Sequence, residues 1–471
     1  MATVPKENIA GIECKYVTYQ AATDGSPNDL LLIKEVIHTK DGDQVPNIRL
    51  VENFKRPFYI TKKPYQNHQD KKEHEDLERV DKYLTTQVHM PEAIQRALGM
   101  RFPNPKARLK EVCKSPYVYF ADITTPTIIK QMYKDKYPDA ISRNRVAVLD
   151  TERDVVHGTD DTILVSATMG DKVVLGIVRW WADRIPDCIN RINSKYKEYL
   201  SAITVKGPKG PITLNLAEDR CKHIEIIVLD TPGLVIKKVM ERVHQWMPDF
   251  LSIWNMNYDI PEILRMLKKD NIAPEDVFCD PRVPKQYRKV WYKEAKAQRE
   301  TNSKTISQHP ADLWHVLYCQ AGFYVIDAMC LFKKIRTAKG NESSYSLDYI
   351  LKKYLGVGKL KIAEADKYTK LKWHQVMQTD YPAEYAVYNI FDSMSMELLD
   401  EKTNDLGLTI TSLAEISEYG IFPSMPKRLV DVLHYFFLDY KKVAGSVGAD
   451  VVTELDESVI DLTRWILIAI A

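Results

Sequence analysis

A short apolar strand that ends in two acids constrains the fold of this chain more than any other stretch. Residues 146–149 form a continuous apolar run, typical of a strand buried on both faces. Asp150 and Glu152 follow it, and because residues i and i+2 of a strand point to the same side, both carboxylates project together. Like charges this close need a neutralising partner, and Mg²⁺ and Mn²⁺ prefer carboxylate oxygens. A solvated turn containing Asp-x-Glu is the alternative, so the metal hypothesis needs further acids downstream.

The elements after this strand predict the fold class. A hairpin turning at Gly170-Asp171 follows, and a helix from about Pro232 to Trp246 joins two later strands. The strands of this region are predicted over 162–169, 173–178, 224–229 and 250–254. A hairpin beside a strand, continued by crossover helices, is the order expected of an RNase H-like α/β core, a mixed sheet flanked by helices. Ligands of such sheets bind outside the carboxyl ends of the strands.

Further acidic residues occur downstream, at positions that such a fold would bring close to Asp150 and Glu152. Asp259 closes the stretch that follows the strand at 250–254, although it could equally cap a helix from Pro261. Asp392 lies one helical turn after Tyr388 on a face of apolar and aromatic residues, where a charge is unfavourable without a partner. Asp327 falls inside another predicted strand, and the pattern assigns it no role. The sequence therefore predicts four carboxylates around one crevice.

A basic stretch interleaved with aromatic residues is a candidate surface for nucleic acid. Lys285, Arg288 and Lys289 lie close to Tyr287 and Trp291. Cations neutralise phosphates, and aromatic faces stack on unpaired bases. A solvated helix is the alternative interpretation of the same stretch.

Composition restricts which other classes of protein the chain can belong to. The formal net charge of the 471 residues is only +2, so any nucleic acid must be met by a local patch. The 7 cysteines are scattered without a Cys-x-x-Cys pair, which argues against a disulfide framework or a zinc site and favours a reducing cytoplasm. Neither a signal core nor a stretch of membrane-spanning length is evident, so we expect a cytoplasmic protein, in the host cytoplasm if viral, with no membrane partner.

Three motifs taken together resemble a known family. They are Asp150-Thr151-Glu152, Asn255-Met256-Asn257-Tyr258-Asp259 and Tyr388-Asn389-Ile390-Phe391-Asp392. This set resembles the 3′–5′ proofreading exonuclease domain of family B DNA polymerases, and it is most similar to the replicative polymerases of tailed bacteriophages. Two flanking segments, 344–350 and 357–361, resemble the phage proteins at the equivalent places.

The resemblance implies an enzyme that hydrolyses phosphodiester bonds with two Mg²⁺ ions, or Mn²⁺. The metal ligands would be Asp150, Glu152, Asp259 and Asp392. Tyr388 would act with them as a catalytic residue by orienting the attacking water. The substrate would be a single-stranded or frayed 3′ DNA end, so that the enzyme proofreads during DNA replication. Together with the basic stretch, the expected DNA contacts are Asn255, Tyr258, Lys285, Arg288, Lys289, Lys359 and Lys361.

The same resemblance predicts the domain organisation. We expect an α+β N-terminal domain over 1–138, the exonuclease over 139–405, a return through the N-terminal domain over 406–445, and the start of a palm or an aberrant tail over 446–471. The polymerase motifs of the family are absent, so we expect either a truncated product or one half of a split gene. In a split gene, a separately encoded polymerase subunit with palm, fingers and thumb is the expected partner. The alternatives are a free-standing RNase H-like exonuclease and a non-catalytic DNA-binding subunit of a split polymerase.

Overall fold

A computed structural model describes residues 4–301, 304–362 and 365–446 of the chain. These residues divide into two units. The first contains residues 4–141, Val283–Arg288 and 412–446, and the second contains the described parts of Ser142–Arg282 and Lys289–Thr411. Apart from Ser446, the predicted last segment, 446–471, lies outside the described residues.

The first unit begins with two antiparallel three-stranded sheets, in the orders β1-β2-β3 and β6-β4-β7. Its first strands are β1 (Ile9–Ala21), β2 (Asp29–Thr39), β3 (Gln44–Glu52), β4 (Arg56–Thr61), β5 (His74–Asp76), β6 (Val80–Thr85) and β7 (Val118–Tyr119). Its first helices are α1 (Met90–Ala97), α2 (Leu109–Val112) and α3 (Thr125–Lys136). Thr124 is the N-cap of α3, because its side chain accepts a hydrogen bond from the backbone N–H of Thr127.

The second unit contains the acidic motifs. Its strands are β8 (Val146–Arg153), β9 (Thr162–Met169), β10 (Lys172–Val178), β11 (Ile203–Gly207), β12 (Gly210–Leu214), β13 (Glu225–Leu229), β14 (Phe250–Ile253), β15 (Trp291–Lys293), β16 (Gln298–Thr301), β17 (Lys304–Ser307), β18 (Val316–Tyr318) and β19 (Tyr324–Asp327). Its helices are α4 (Arg179–Ala182), α5 (Cys188–Leu200), α6 (Leu216–Asp219), α7 (Pro232–Trp246), α8 (Met256–Lys269), α9 (Glu275–Phe278), α10 (Ala328–Ile335), α11 (Leu347–Leu355), α12 (Lys370–Asp380) and α13 (Pro382–Thr403).

The chain returns to the first unit at residue 412, within α14. The last elements are α14 (Ile410–Ala414), α15 (Met425–Asp439) and β20 (Lys442–Ala444), and β20 pairs with β5. Within the described ranges, every helix falls short of the combination of length and apolar character that a bilayer span requires.

The central sheet has six strands in the order β13-β10-β9-β8-β14-β19. β9 runs antiparallel to both of its neighbours, while the pairs β10–β13, β8–β14 and β14–β19 are parallel. The predicted α/β class, a mixed sheet flanked by helices, is therefore confirmed. Five strands place their carboxyl ends at one edge, and Asp150 and Glu152 lie near that edge on β8.

Alternation along β8 decides which helices its side chains meet. Val148 packs in an apolar cluster with α13, whereas Ala147 and Leu149 pack in a second cluster with α7 and α8. Because the period of a strand is two residues, Asp150 and Glu152 continue the side of Val148, and Thr151 continues the opposite side. The sheet thus directs the two carboxylates toward α13 and the threonine toward α8.

Gly176 in β10 allows α7 to pack closely against the sheet. A Cβ atom at this position would lie 2.5 Å from Cγ1 of Val235 and 2.9 Å from Cγ2 of Val239. We expect Gly176→Ala to lower the free energy of unfolding by about 1–3 kcal/mol through overpacking, measured by urea denaturation. Adding Val235→Ala should recover part of that loss; strictly additive losses in the double variant would contradict the packing argument.

Candidate metal centre

Three carboxylates converge where β8 meets α13. Oxygen atoms of Asp150, Glu152 and Asp392 all lie within 4.8 Å of one another, an arrangement that could hold a metal ion. Asp392 is fully buried, whereas the two β8 acids are partly buried. The structure therefore brings together three of the four predicted ligands.

Asp259 reaches this region from the other side of the sheet. It lies in the first turn of α8, which begins at Met256, so the expectation of a helix starting only at Pro261 is wrong. Its Oδ1 accepts a hydrogen bond from the Thr151 hydroxyl at 2.6 Å. A carboxylate is also favoured in the first turn, near the positive end of the helix dipole. Asp259 is thus bonded to the residue that lies between the two β8 acids.

Lys359 and Tyr388 complete the surroundings of Asp392. The Lys359 ammonium forms an ion pair with Oδ2 of Asp392 and donates a hydrogen bond to the Tyr388 hydroxyl at 2.6 Å. The backbone of Lys359 is held in turn by Asp348, whose Oδ1 accepts from its N–H at 3.0 Å. The predicted catalytic tyrosine and one predicted DNA-contacting lysine therefore lie beside the acidic group.

Two residues of α13 that the motifs left without a role bind the β8 acids directly. The Asn389 amide donates a hydrogen bond to Oδ2 of Asp150 at 2.6 Å, and the Tyr385 hydroxyl donates one to Oε2 of Glu152 at 2.5 Å. Tyr385, Asn389 and Asp392 recur at steps of four and three along the helix, so they share one face. That periodicity was the available signal, but it does not identify the partners.

Asp327 is a buried acid with a structural position. It is the last residue of β19, and its two oxygens accept hydrogen bonds from the backbone N–H groups of Cys330 at 2.8 Å and Met256 at 2.9 Å. It therefore caps α10 and also holds the first residue of α8. Burial raises its pKa to about 6. Asn255 occupies the N-cap position of α8, but its side chain makes no capping hydrogen bond.

The crowding of acids shifts their protonation. Burial, followed by repulsion from Asp392, Glu152 and Asp259, raises the pKa of Asp150 well above its usual value. Burial also raises the pKa of Glu152 to about 7 and that of Asp259 to about 7, and it raises the pKa of Asp392. Burial alone would lower the pKa of Lys359, but the carboxylates beside it hold that pKa above its ordinary value.

The residues predicted to contact DNA are only partly brought together. Tyr258 is 48% exposed, with the Arg153 guanidinium 4.5 Å above its ring and Arg153 Nε 3.1 Å from its hydroxyl. Lys361 and Lys289 are exposed in the second unit. Lys285 and Arg288 belong to the first unit, so the basic stretch is not one surface within a single unit. The alternative interpretation, a solvated α-helix, is wrong, because the stretch forms one 3₁₀ turn over Lys285–Tyr287 and then β15.

Comparison with known proteins assigns no function to this site. The chain matches no protein-family model, and no curated protein matches it.

Proposed function

We propose that the second unit is an RNase H-like 3′–5′ exonuclease and that the chain is the N-terminal and exonuclease part of a family B DNA polymerase of the tailed-phage type. Its substrate would be a single-stranded or frayed 3′ DNA end, which it would shorten by hydrolysis. One observation supports this most strongly: oxygens of Asp150, Glu152 and Asp392 lie within 4.8 Å of one another. Lys359 and Tyr388 bond to each other on the Asp392 side of that group.

The donor set suits Mg²⁺ or Mn²⁺. Every charged oxygen in the group is a hard ligand, and Oδ1 of Asp392 is buried with no hydrogen-bond partner among the described residues. A buried carboxylate oxygen in that state favours a cation as its missing partner. Asp150, Glu152 and Asp392 would hold the metal, and Asp259 would serve a second ion. Bound divalent cations supply a nucleophilic hydroxide at neutral pH and neutralise the charge on the leaving oxygen.

The side chains around the acids would bind and orient the reacting groups. The Lys359 ammonium is the one cation paired with the described carboxylate cluster, so it would attract the scissile phosphate. The Tyr388 hydroxyl, held by Lys359 at 2.6 Å, would orient the attacking water as hydrogen-bond partner. Tyr388 lies on α13 and Lys359 follows α11, and DNA would approach the acids from the carboxyl edge of the sheet.

Recognition of the end would depend on stacking rather than on reading bases. Tyr258 presents an exposed ring near the start of α8, and Arg153 fixes that ring from β8. Aromatic faces stack on any unpaired base, and a guanidinium beside them attracts phosphate. Asn255, one turn before Asp259, would contact the terminal nucleotide.

A digestion experiment tests this function. The purified chain should shorten a 5′-labelled single-stranded oligonucleotide one nucleotide at a time when Mg²⁺ or Mn²⁺ is present, and EDTA should stop the reaction. A 3′-labelled strand should lose its label in the first step, which distinguishes removal from the 3′ end from cleavage elsewhere. A product ladder that begins at the 5′ end, or digestion unaffected by EDTA, would contradict the proposal.

A further inference from the structure

We propose that Tyr385, supported by His374, is the positioning residue that fixes Glu152 as a metal ligand. This inference rests on the proposed function but concerns residues that the family motifs leave without a role. The two tyrosines that lie one turn apart on α13 then have different roles. Tyr388 serves the Asp392 side of the site, and Tyr385 serves the β8 side.

The geometry forms a chain of two hydrogen bonds ending at the carboxylate. The Tyr385 hydroxyl is 2.5 Å from Oε2 of Glu152, and Nδ1 of His374 is 2.9 Å from the same hydroxyl. When Glu152 is ionised, as a metal ligand is, its carboxylate can only accept, so the tyrosine donates its one hydrogen to it. The tyrosine oxygen must therefore accept from His374, which fixes the imidazole proton on Nδ1.

The burial of Tyr385 makes this contact rigid. The side chain is fully buried, and its ring stacks on that of Tyr388 at 5.8 Å between centroids with an interplanar angle of 3°. The Trp373 ring lies 6.2 Å from it on another side. Because the ring cannot rotate away, its hydroxyl restricts Oε2 of Glu152 to one position.

Helix α12 holds the backbone beyond Glu152 as well. Gln378 donates through Nε2 to the carbonyl of Arg153 at 2.7 Å and accepts at Oε1 from the N–H of Val155 at 3.0 Å. His374 lies one helical turn earlier on the same helix. One helix thus fixes both the main chain after Glu152 and, through Tyr385, its carboxylate. Orienting partners of this kind are part of how proteins build metal sites.

The test measures metal binding separately from catalysis. In the full chain, Tyr385→Phe should weaken Mn²⁺ binding by about 10-fold or more, measured by electron paramagnetic resonance titration without DNA. In the digestion assay kcat should fall by about 10- to 100-fold while KM for the oligonucleotide stays unchanged, since Tyr385 is proposed to touch no DNA. If Tyr385 only stabilised the fold, Tyr385→Phe would leave the Mn²⁺ affinity of the folded chain unchanged, and it would not lower kcat selectively.

A matched control and a conservative variant complete the design. Tyr354→Phe removes another tyrosine–glutamate hydrogen bond of the same unit, from Tyr354 to Glu342 at 3.1 Å, and should leave both readouts unchanged. His374→Phe should weaken Mn²⁺ binding in the same direction as Tyr385→Phe, whereas His374→Asn, which keeps a donor, should recover most of it.

If the wild-type chain binds Mn²⁺ and shortens DNA, and Tyr385→Phe does both equally well, this inference is overturned but the proposed exonuclease is not. Failure of the wild-type chain both to bind Mn²⁺ and to shorten DNA would overturn the proposed exonuclease and this inference with it.

Discussion

Asp150→Asn should reduce excision of 3′ nucleotides by about a thousandfold or more while the chain stays folded. Asp150 lies at the centre of the site: Asp392, Glu152 and Asp259 each act on its protonation, and Asn389 binds its Oδ2. The amide keeps the shape of the side chain but removes the charge that holds a cation. Metal-ion stabilisation of a transition state contributes several kcal/mol, and about 4 kcal/mol corresponds to a thousandfold in rate. Single-turnover digestion with saturating enzyme would measure the chemical step directly.

Asp230→Asn is the matched control for this substitution. Asp230 is an exposed acid of the same unit that pairs with Arg179 at the surface, so the same chemical change should leave excision within about twofold. Thermal unfolding of both variants should show folded chains. If Asp150→Asn degraded a 3′ end in Mg²⁺ as fast as Asp230→Asn, the acidic cluster would not be the active site.

The metal-free chain should lose stability as the pH rises from 5 to 8, and Glu152→Gln should remove the share of that loss that Glu152 contributes. The pKa of Glu152 is raised from 4.5 to about 7 in the folded state, chiefly by burial. The folded chain therefore binds this proton more tightly than the unfolded chain. The penalty is absent below pH 4.5 and is complete above pH 7, where it amounts to about 3 kcal/mol. For a unit of this size that is about 5 to 10 °C in melting temperature.

Calorimetry in EDTA at a series of pH values would measure this difference. The melting temperature of wild type should approach that of Glu152→Gln at pH 5 and fall below it at pH 8, and Mn²⁺ should raise only wild type strongly. Glu225→Gln, which alters an exposed acid paired with Arg242, serves as the control and should follow wild type. Parallel wild-type and Glu152→Gln curves from pH 5 to 8 would show that burial does not raise the pKa of Glu152.

Local periodicity was enough to predict part of this site. The alternation of β8 placed Asp150 and Glu152 on one side of a strand, and the helical spacing of α13 placed Tyr388 and Asp392 on one face. Both rules concern residues at fixed short separations, which sequence shows directly. The order of the hairpin, the strands and the crossover helices predicted the mixed sheet, since that order restricts how the strands can pair.

The remaining parts depend on contacts between distant residues. The bonds from Tyr385 to Glu152 and from Asn389 to Asp150 each span more than 200 positions, at 233 and 239 residues. A periodic pattern shows that such side chains share a face, but it does not show what lies opposite. Lys359 emerged only through a family resemblance, and the start of α8 was misplaced because Pro261 was taken as its first turn. Inside α8, tertiary packing outweighs that local signal.

The helix that supplies Asp392 lies within the fold, since every residue from Ala383 to Asp400 is buried. A ligand carried by a surface loop can swing closed around a substrate, but one on an interior helix cannot move without repacking its neighbours. The group of carboxylates is therefore already in place before any ligand binds. For the proposed exonuclease, discrimination between a correct terminus and a mispaired one would then rest on the work of separating the strand from its complement, which the nucleic acid itself determines.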